Sequence, residues 1–188
     1  MRKNASNRHR LKIASETDDP EMLDLLSRDS DMGVRQGVST NPNTPIEALI
    51  RLSGDIQSWV RAGAAHNRRT PAEILDQLSR ESDSRIRQSV SWNPNTPIET
   101  LVRLSRDSEM RCRWGVSQHP NTPIETLVAL RMDPHASVRT DANRNLHRIK
   151  ESRPELRDQI EELETLAELG IRADGDPIDP TDLEGLDI

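Results

Sequence analysis

The chain has 188 residues, of which 32% are hydrophobic and 2% aromatic, with three Trp and neither Phe nor Tyr. Even with its 8 Gly added this is well under the roughly 45–50% apolar content of an ordinary globular domain, which excludes a large aromatic-filled core; the absence of a long apolar run excludes a membrane span. The net charge of −6 hides a gradient, because residues 1–13 carry five Lys/Arg and no acid, residues 14–148 carry 17 against 19 Asp/Glu, and residues 149–188 carry 4 against 13, a distribution that argues against polyanion binding by bulk charge.

In chain order, residues 1–17 form a basic opening segment (Arg2, Lys3, Arg8, Arg10, Lys12). It lacks the apolar stretch of a secretory signal. Arg8–Ser15 is predicted to be a lone, shortened helix that caps the first repeat. From residue 18 the chain repeats, and internal repetition outranks every local motif. NPNTPIE occurs at Asn41–Glu47 and Asn93–Glu99, HPNTPIE at His119–Glu125 and NRRTPAE at Asn67–Glu73. Thr44, Thr70, Thr96 and Thr122 are separated by a constant 26 residues, and a worn copy begins at Asp18. Five units, starting at 18, 44, 70, 96 and 122, therefore fill residues 18–148.

Each unit reads as two short helices. Thr96-Pro97-Ile98-Glu99 has the form of a capping box, in which the Thr hydroxyl accepts from the N3 amide and the Glu reaches back, with Pro at N1. The first helix then runs to about Ser105 with Ile98, Leu101 and Leu104 on one side. After an acidic turn, the second helix starts near Met110 and ends before His119-Pro120, since a residue before proline avoids the α region. That second helix is about two turns long, and part of it is expected to be 3₁₀. Such a unit buries its apolar face only by stacking on neighbours, so an all-α solenoid follows. The small column Gly37, Gly63, Ser89, Gly115 lets second helices approach closely. Ser152-Arg153-Pro154-Glu155 is another capping box, predicted to open a capping helix within residues 149–170 that stops at Gly170. Residues 171–188 are acidic with Gly and Pro and are expected to be disordered.

The units TPIETLVRLSRDSEMRCRWGVSQHPN and TPIEALIRLSGDIQSWVRAGAAHNRR resemble the leucine-rich repeat variant family in their N-P-x-T-P-x-x-x-L-x-x-L pattern, acidic turn, V-R and small-apolar pair. The resemblance covers roughly residues 18–148. It implies a right-handed superhelix of alternating α- and 3₁₀-type helices, related to HEAT-like α-solenoids. The family's first described member also carries an iron–sulfur cluster on a separate cysteine-rich segment. A cluster takes about four thiolates, and this chain has one cysteine, Cys112, in the core column of Val34, Val60, Ile86 and Val138. No cofactor is expected.

Three sets of residues invite a functional reading. Arg35, Arg61, Arg87, Arg113 and Arg139 form a column, each six residues after Asp29, Asp55, Glu81, Asp107 and Asp133. A column invariant within one chain is read as a structural ladder that braces each turn against the next layer, since repeat proteins keep their scaffold and vary their binding positions. Asn41, Asn67, Asn93 and Asn145 read as turn residues that tolerate αL. On the second helices, with Val60 set at 0° and 100° per residue, Trp59, Ala62 and His66 fall on the far side from the core. The same slots in the next two units hold Arg85, Gln88, Trp92 and Arg111, Trp114, Gln118. All three tryptophans thus fall on one outward strip. An aromatic–arginine surface suits a protein partner or stacked bases; the alternative is that each Trp covers a gap between neighbouring second helices, with Arg stacked on it.

There is no GxSxG, HExxH, CxxC or P-loop pattern, and the five His occupy different slots, so neither catalysis nor a metal site is expected. The expectation is a non-catalytic cytoplasmic scaffold, its free thiol suiting a reducing compartment, that binds another macromolecule through the second-helix face. A protein is the favoured partner, and a HEAT-like nucleic-acid binder using the basic start and the strip arginines is the alternative.

Overall fold

The computed structural model describes residues 2–171, with side chains from residue 6 onward. Residues 172–188, nearly all of the segment expected to be disordered, lie outside the described residues. The chain divides into two units between Pro97 and Ile98. The first holds α1 (Arg2–Glu16), α2 (Pro20–Leu26), α3 (Met32–Thr40), α4 (Ile46–Ser53), α5 (Ser58–His66), α6 (Ala72–Leu78) and α7 (Ser84–Ser91). The second holds α8 (Ile98–Leu104), α9 (Met110–Gln118), α10 (Ile124–Leu130), α11 (Ala136–Ser152), a 3₁₀ turn (Pro154–Leu156) and α12 (Arg157–Glu168).

In the first unit, α3 packs between α1 and α5, and α5 between α3 and α7, while α4 touches α2 and α6. The helix pairs are thus stacked in layers, and the repeated leucines and valines meet inside: Leu23, Leu26, Val34, Val38, Leu49, Leu52, Val60 and Ala64 form one cluster with Ala14 of α1. The apolar face of one pair is covered only by the next, as a 26-residue module requires. Close approach of the second helices is steric. A Cβ built on Gly63 would lie 2.0 Å from Ser39 Oγ and 3.1 Å from Ser39 Cβ. Glycine is tolerated in mid-helix because α5 needs that space against α3. In the second unit α9 packs on α11, and α10 on α11 and α12, burying Leu101, Leu104, Cys112, Val116, Leu127, Val138, Leu146 and Ile160.

The second helices are α-helical, with a 3₁₀-type bond in the first turn: Val60 N–H to Gln57 O, Ile86 N–H to Asp83 O and Cys112 N–H to Glu109 O, each at 3.0 Å. The threonine capping box does not form. Pro45, Pro71 and Pro123 occupy the N-cap positions without a side-chain cap. The buried threonine before each proline turns the other way. Thr44 Oγ1 donates to Val38 O, Thr70 Oγ1 to Ala64 O and Thr96 Oγ1 to Val90 O, all at 2.6 Å, and Thr122 Oγ1 to Val116 O at 2.7 Å. The last carbonyls of a helix have no intrahelical donor. Here each such carbonyl takes the N–H three residues on (Asn41, Asn67, Asn93 and His119), the threonine hydroxyl adds a second bond in place of water, and the glutamates stay exposed.

The asparagine column is likewise not left-handed: among the described residues no residue other than glycine has positive φ. Asn41 and Asn67 are extended (φ −70° and −68°), and their amides reach back one layer. Asn67 Nδ2 donates to Ser39 O (2.9 Å) and Asn41 O (2.8 Å), and Asn93 Nδ2 to Ala65 O (2.7 Å) and Asn67 O (2.8 Å). Each Oδ1 closes its own turn, taking Arg69 N–H and Asn95 N–H at 3.0 Å.

The arginine column runs forward. Arg35 clasps Asp55, not Asp29, with Nε and Nη2 (2.6 and 3.0 Å), while Nη1 donates to Asp29 O at 2.9 Å. Arg61 does the same with Glu81 and Asp55 O, and Arg113 with Asp133 and Asp107 O. Arg87 and Arg139 hold the carbonyls of their own turns, Glu81 O and Asp133 O. Arg10 of α1 opens the series on Asp29 (2.7 Å). Burial pushes the Asp55 carboxyl up. The bonds from Arg35 and the Gln57 N–H, with the Arg35 and Arg61 charges, outweigh this and hold it below its ordinary value; Asp29, between Arg10 and Arg35, behaves alike. A carboxylate depressed in the folded state contributes stability that is complete above the unfolded pKa and is lost as pH falls through the folded one. Denaturant midpoints are therefore expected to be flat above about pH 5 and to fall below about pH 4, with a shallower acid limb in Arg35→Met.

At the C-terminal end the Ser152 capping box does not open a helix. Ser152 is the last residue of α11, and the Pro154–Leu156 turn intervenes before α12, because Pro154 bars the preceding residue from the α region. Ile160 is fully buried. Gly170, the residue with positive φ (71°), ends the helix. Its N–H bonds to Ala167 O (3.1 Å) and the Ile171 N–H to Leu166 O (2.9 Å), the paired bonds of a Schellman motif.

Candidate interaction face

In the first unit the outward face of α5 and α7 carries Trp59, His66, Arg85, Gln88 and Trp92. Trp59 is the second residue of α5 and Arg85 the second of α7, so the repeat sets them in matching positions on helices that pack together. The Arg85 guanidinium lies 4.2 Å from the Trp59 ring centroid. It is held there from below by Asp83, whose Oδ1 takes the Nε–H at 3.0 Å and whose Oδ2 takes an Nη2–H at 2.8 Å. Asp83 Oδ1 also caps α7 through the Arg85 backbone N–H (3.0 Å). The Arg85 guanidinium, helped by that N–H and by the Ser58 side chain, holds the Asp83 carboxyl far below the usual carboxylate range against its partial burial. Trp59 stays 50% exposed and Trp92, which follows the last residue of α7, 36%. His66 and Arg85 are exposed, and Gln88 is half-buried.

In the second unit the corresponding residues are Arg111, Trp114 and Gln118 on α9. Arg111 is exposed, and Trp114 and Gln118 are half-buried. The Trp114 Nε1–H donates to Asp141 Oδ2 at 2.7 Å, which ties the indole across to α11. Trp114 is tied to the neighbouring helix, whereas Trp59 carries Arg85 of the neighbouring second helix on its ring, as the gap-covering reading expects, and still keeps half of its surface exposed. Residues that sequence reasoning passed over are Asp83, Ser58 and Asp141. The first two had a local signal, an acid at the N-cap two residues before Arg85 and a hydroxyl beside Trp59. Asp141 had a stronger one, since it stands in the small column of Gly37, Gly63, Ser89 and Gly115. The ladder arginines face the turns instead.

Among the described residues no cluster of three or more His, Cys, Asp or Glu is placed to hold a metal ion, and no described helix is long and apolar enough to cross a membrane. Stacked two-helix modules, tied by internal Asn and Arg ladders and presenting a partly apolar outer face, define a helical repeat protein of the α-solenoid class. One solved structure, described as a leucine-rich repeat variant with a novel repetitive structural motif, is similar over 82% of this chain at 28% identity, with a TM-score of 0.55. The resemblance read from the N-P-x-T-P units therefore holds in three dimensions. The chain matches 64% of that structure's own length. No family model and no curated protein matches the chain.

Proposed function

We propose that the chain is a non-catalytic, cytoplasmic scaffold that binds another protein through the outer face of its second helices. The observation that carries this reading is Trp59. In a chain with three indoles, this one is left half-exposed on a helix face, with Arg85 laid over it and Asp83 locking that arginine in place. Trp and Arg are among the residues that most often dominate protein interfaces; an indole offers a large contact area at low cost in side-chain freedom, and Asp83 already holds the guanidinium of Arg85. An arrangement already fixed in the free protein loses less on binding. Trp92, His66 and Gln88 extend the face in the first unit, and Arg111 and Gln118 supply its counterpart in the second.

Two of the cations that the competing nucleic-acid reading relies on are already engaged. Arg85 is neutralised by Asp83, and Arg10 of the basic start is clasped by Asp29, whereas duplex affinity grows with the number of phosphates neutralised. The test is a pull-down with mass spectrometry using the full chain against Trp59→Ala/Trp92→Ala. Since both rings are substantially exposed, the double variant is expected to keep its helical circular dichroism and to lose the proteins that the wild type enriches. Loss of the helical signal would reassign the two rings to packing. In parallel, a salt titration against nonspecific DNA is expected to show no binding at about 50 mM salt; steep salt-dependent binding would favour the other reading.

A further inference from the structure

The second repeat breaks the pattern of its neighbours at its closing turn. Where the other turns read Asn-Pro-Asn or His-Pro-Asn, this one reads Asn67-Arg68-Arg69. Two adjacent guanidinium groups replace a proline and an asparagine, directly after the exposed His66. The position is fixed rather than loose. Asn95 Nδ2 donates to Arg68 O (2.6 Å), and Arg69 Nη1 donates to Asn43 O (3.0 Å), so the turns of three successive layers are tied in a row. Trp92, in the His66 slot of the next layer, lies three residues before Asn95 on that same edge.

Two cations stand side by side here. Elsewhere in the first unit, the arginines beside Asp24, Asp76 and Asp83 and those that reach into the next layer are paired with carboxylates. Arg68 and Arg69 are exposed, and neither forms an ion pair among the described residues. The negative end of α5, which would oppose an anion, is already covered: Ala64 O is taken by Thr70 Oγ1 and Ala65 O by Asn93 Nδ2. Two adjacent exposed guanidinium groups without an ion pair, one repeat step from an indole on the same edge, match a ligand of opposite charge with an apolar group attached.

We infer that His66, Arg68, Arg69 and Trp92 form a subsite for an acidic segment of the protein partner, with carboxylates on the two guanidinium groups and an apolar side chain on the indole. Guanidinium and carboxylate match as planar two-point partners. Two free cations suit one or two carboxylates and are too few to hold a nucleic-acid backbone, whose binding needs many phosphates neutralised at once. The inference rests on the second-helix face being a protein-binding surface, and it names the chemistry that one end of that surface selects.

The test is a selection from a random-sequence peptide library displayed on phage against the full chain, with the selected peptides then titrated by fluorescence anisotropy. Selected sequences are expected to combine Asp or Glu with a nearby aromatic or aliphatic residue. Binding is expected to weaken about tenfold or more in Arg68→Gln/Arg69→Gln and to fall steeply as salt rises to about 0.5 M. Arg69→Gln also removes the bond to Asn43 O, so Arg68→Gln alone separates charge from structure and is expected to show a substantial part of the loss with an unchanged circular dichroism spectrum. Charge reversal, Arg68→Glu/Arg69→Glu, is expected to select Lys- and Arg-rich peptides instead. Peptides that bind and depend on Trp59 and Trp92, yet show no acidic enrichment and ignore Arg68, would overturn this subsite while leaving the interaction face intact. Failure to select any peptide whose binding depends on either tryptophan would overturn both. Preferential capture of a single-stranded oligonucleotide, lost in the Arg68 variant, would overturn the acidic-peptide assignment in favour of a phosphate ligand.

Discussion

Arg113→Ala is expected to destabilise the protein by about 3–5 kcal/mol, the range for removing one partner of a buried ion pair, read as a shift in the urea midpoint. The two side chains are 3% and 2% exposed, and the contact is bidentate, with Nε to Oδ2 at 2.6 Å and Nη2 to Oδ1 at 3.2 Å. The same guanidinium satisfies Asp107 O and Ser108 O. Truncation strands a buried carboxylate beside the His135 backbone N–H (2.8 Å) and ring (3.7 Å) and leaves two turn carbonyls without their donor. The large effect comes from the charge left behind, not from the net worth of the pair. Arg113→Met/Asp133→Leu is therefore expected to recover a substantial part of the loss. Exposure grades the ladder: Arg35–Asp55, at 14% and 9%, and Arg10–Asp29, at 31% and 10%, are expected to respond progressively less when the arginine is removed. An Arg113→Ala variant no weaker than Arg10→Ala would show that burial does not set the strength of these rungs.

The repeat period made the layers legible, because a 26-residue module with its leucines in fixed columns has few ways to bury them. What the sequence hid was the direction of the polar contacts. Thr44 and its equivalents read as N-caps because Thr-Pro-x-Glu fits that role locally, and the register alone does not reveal that a buried carbonyl of the preceding helix competes for the same hydroxyl. Asn41 and Asn67 read as turn formers for the same reason: a local rule was applied where the partner lies 24–28 residues away. Arg35 was rightly placed in a column but assigned to the acid six residues before it. A guanidinium is long enough to take that residue's backbone carbonyl and a carboxylate of the following layer together. The candidate face was legible in part. Helical phase put Trp59 and Trp114 on the same side of their helices, but only the presence of Asp141, on a helix packed against α9, separates a tethered indole from an open one.

Asn67→Ala is expected to destabilise the first unit by about 3 kcal/mol, since each buried polar group that loses its partner costs about 1–3 kcal/mol: Ser39 O and the Arg69 N–H lose theirs, and Asn41 O is left with the Thr44 N–H alone. Replacement series distinguish this from a simple loss of volume. Asn67→Asp has nearly the same shape and keeps the acceptor for Arg69 N–H, yet it sets a carboxylate against two carbonyl oxygens, so it is expected to be at least as damaging as alanine. Asn67→His is expected to be the mildest of the three. The chain itself places His119 at the equivalent position, buried, with Nδ1 accepting the Asn121 N–H at 3.2 Å. An imidazole thus preserves the turn closure and keeps one ring N–H for the layer behind, where the amide offers two. The order Asp ≥ Ala > His in lost stability, measured by urea midpoints, would identify the inter-layer donor as the stabilising element. Equal losses for aspartate and histidine would assign the effect to packing instead.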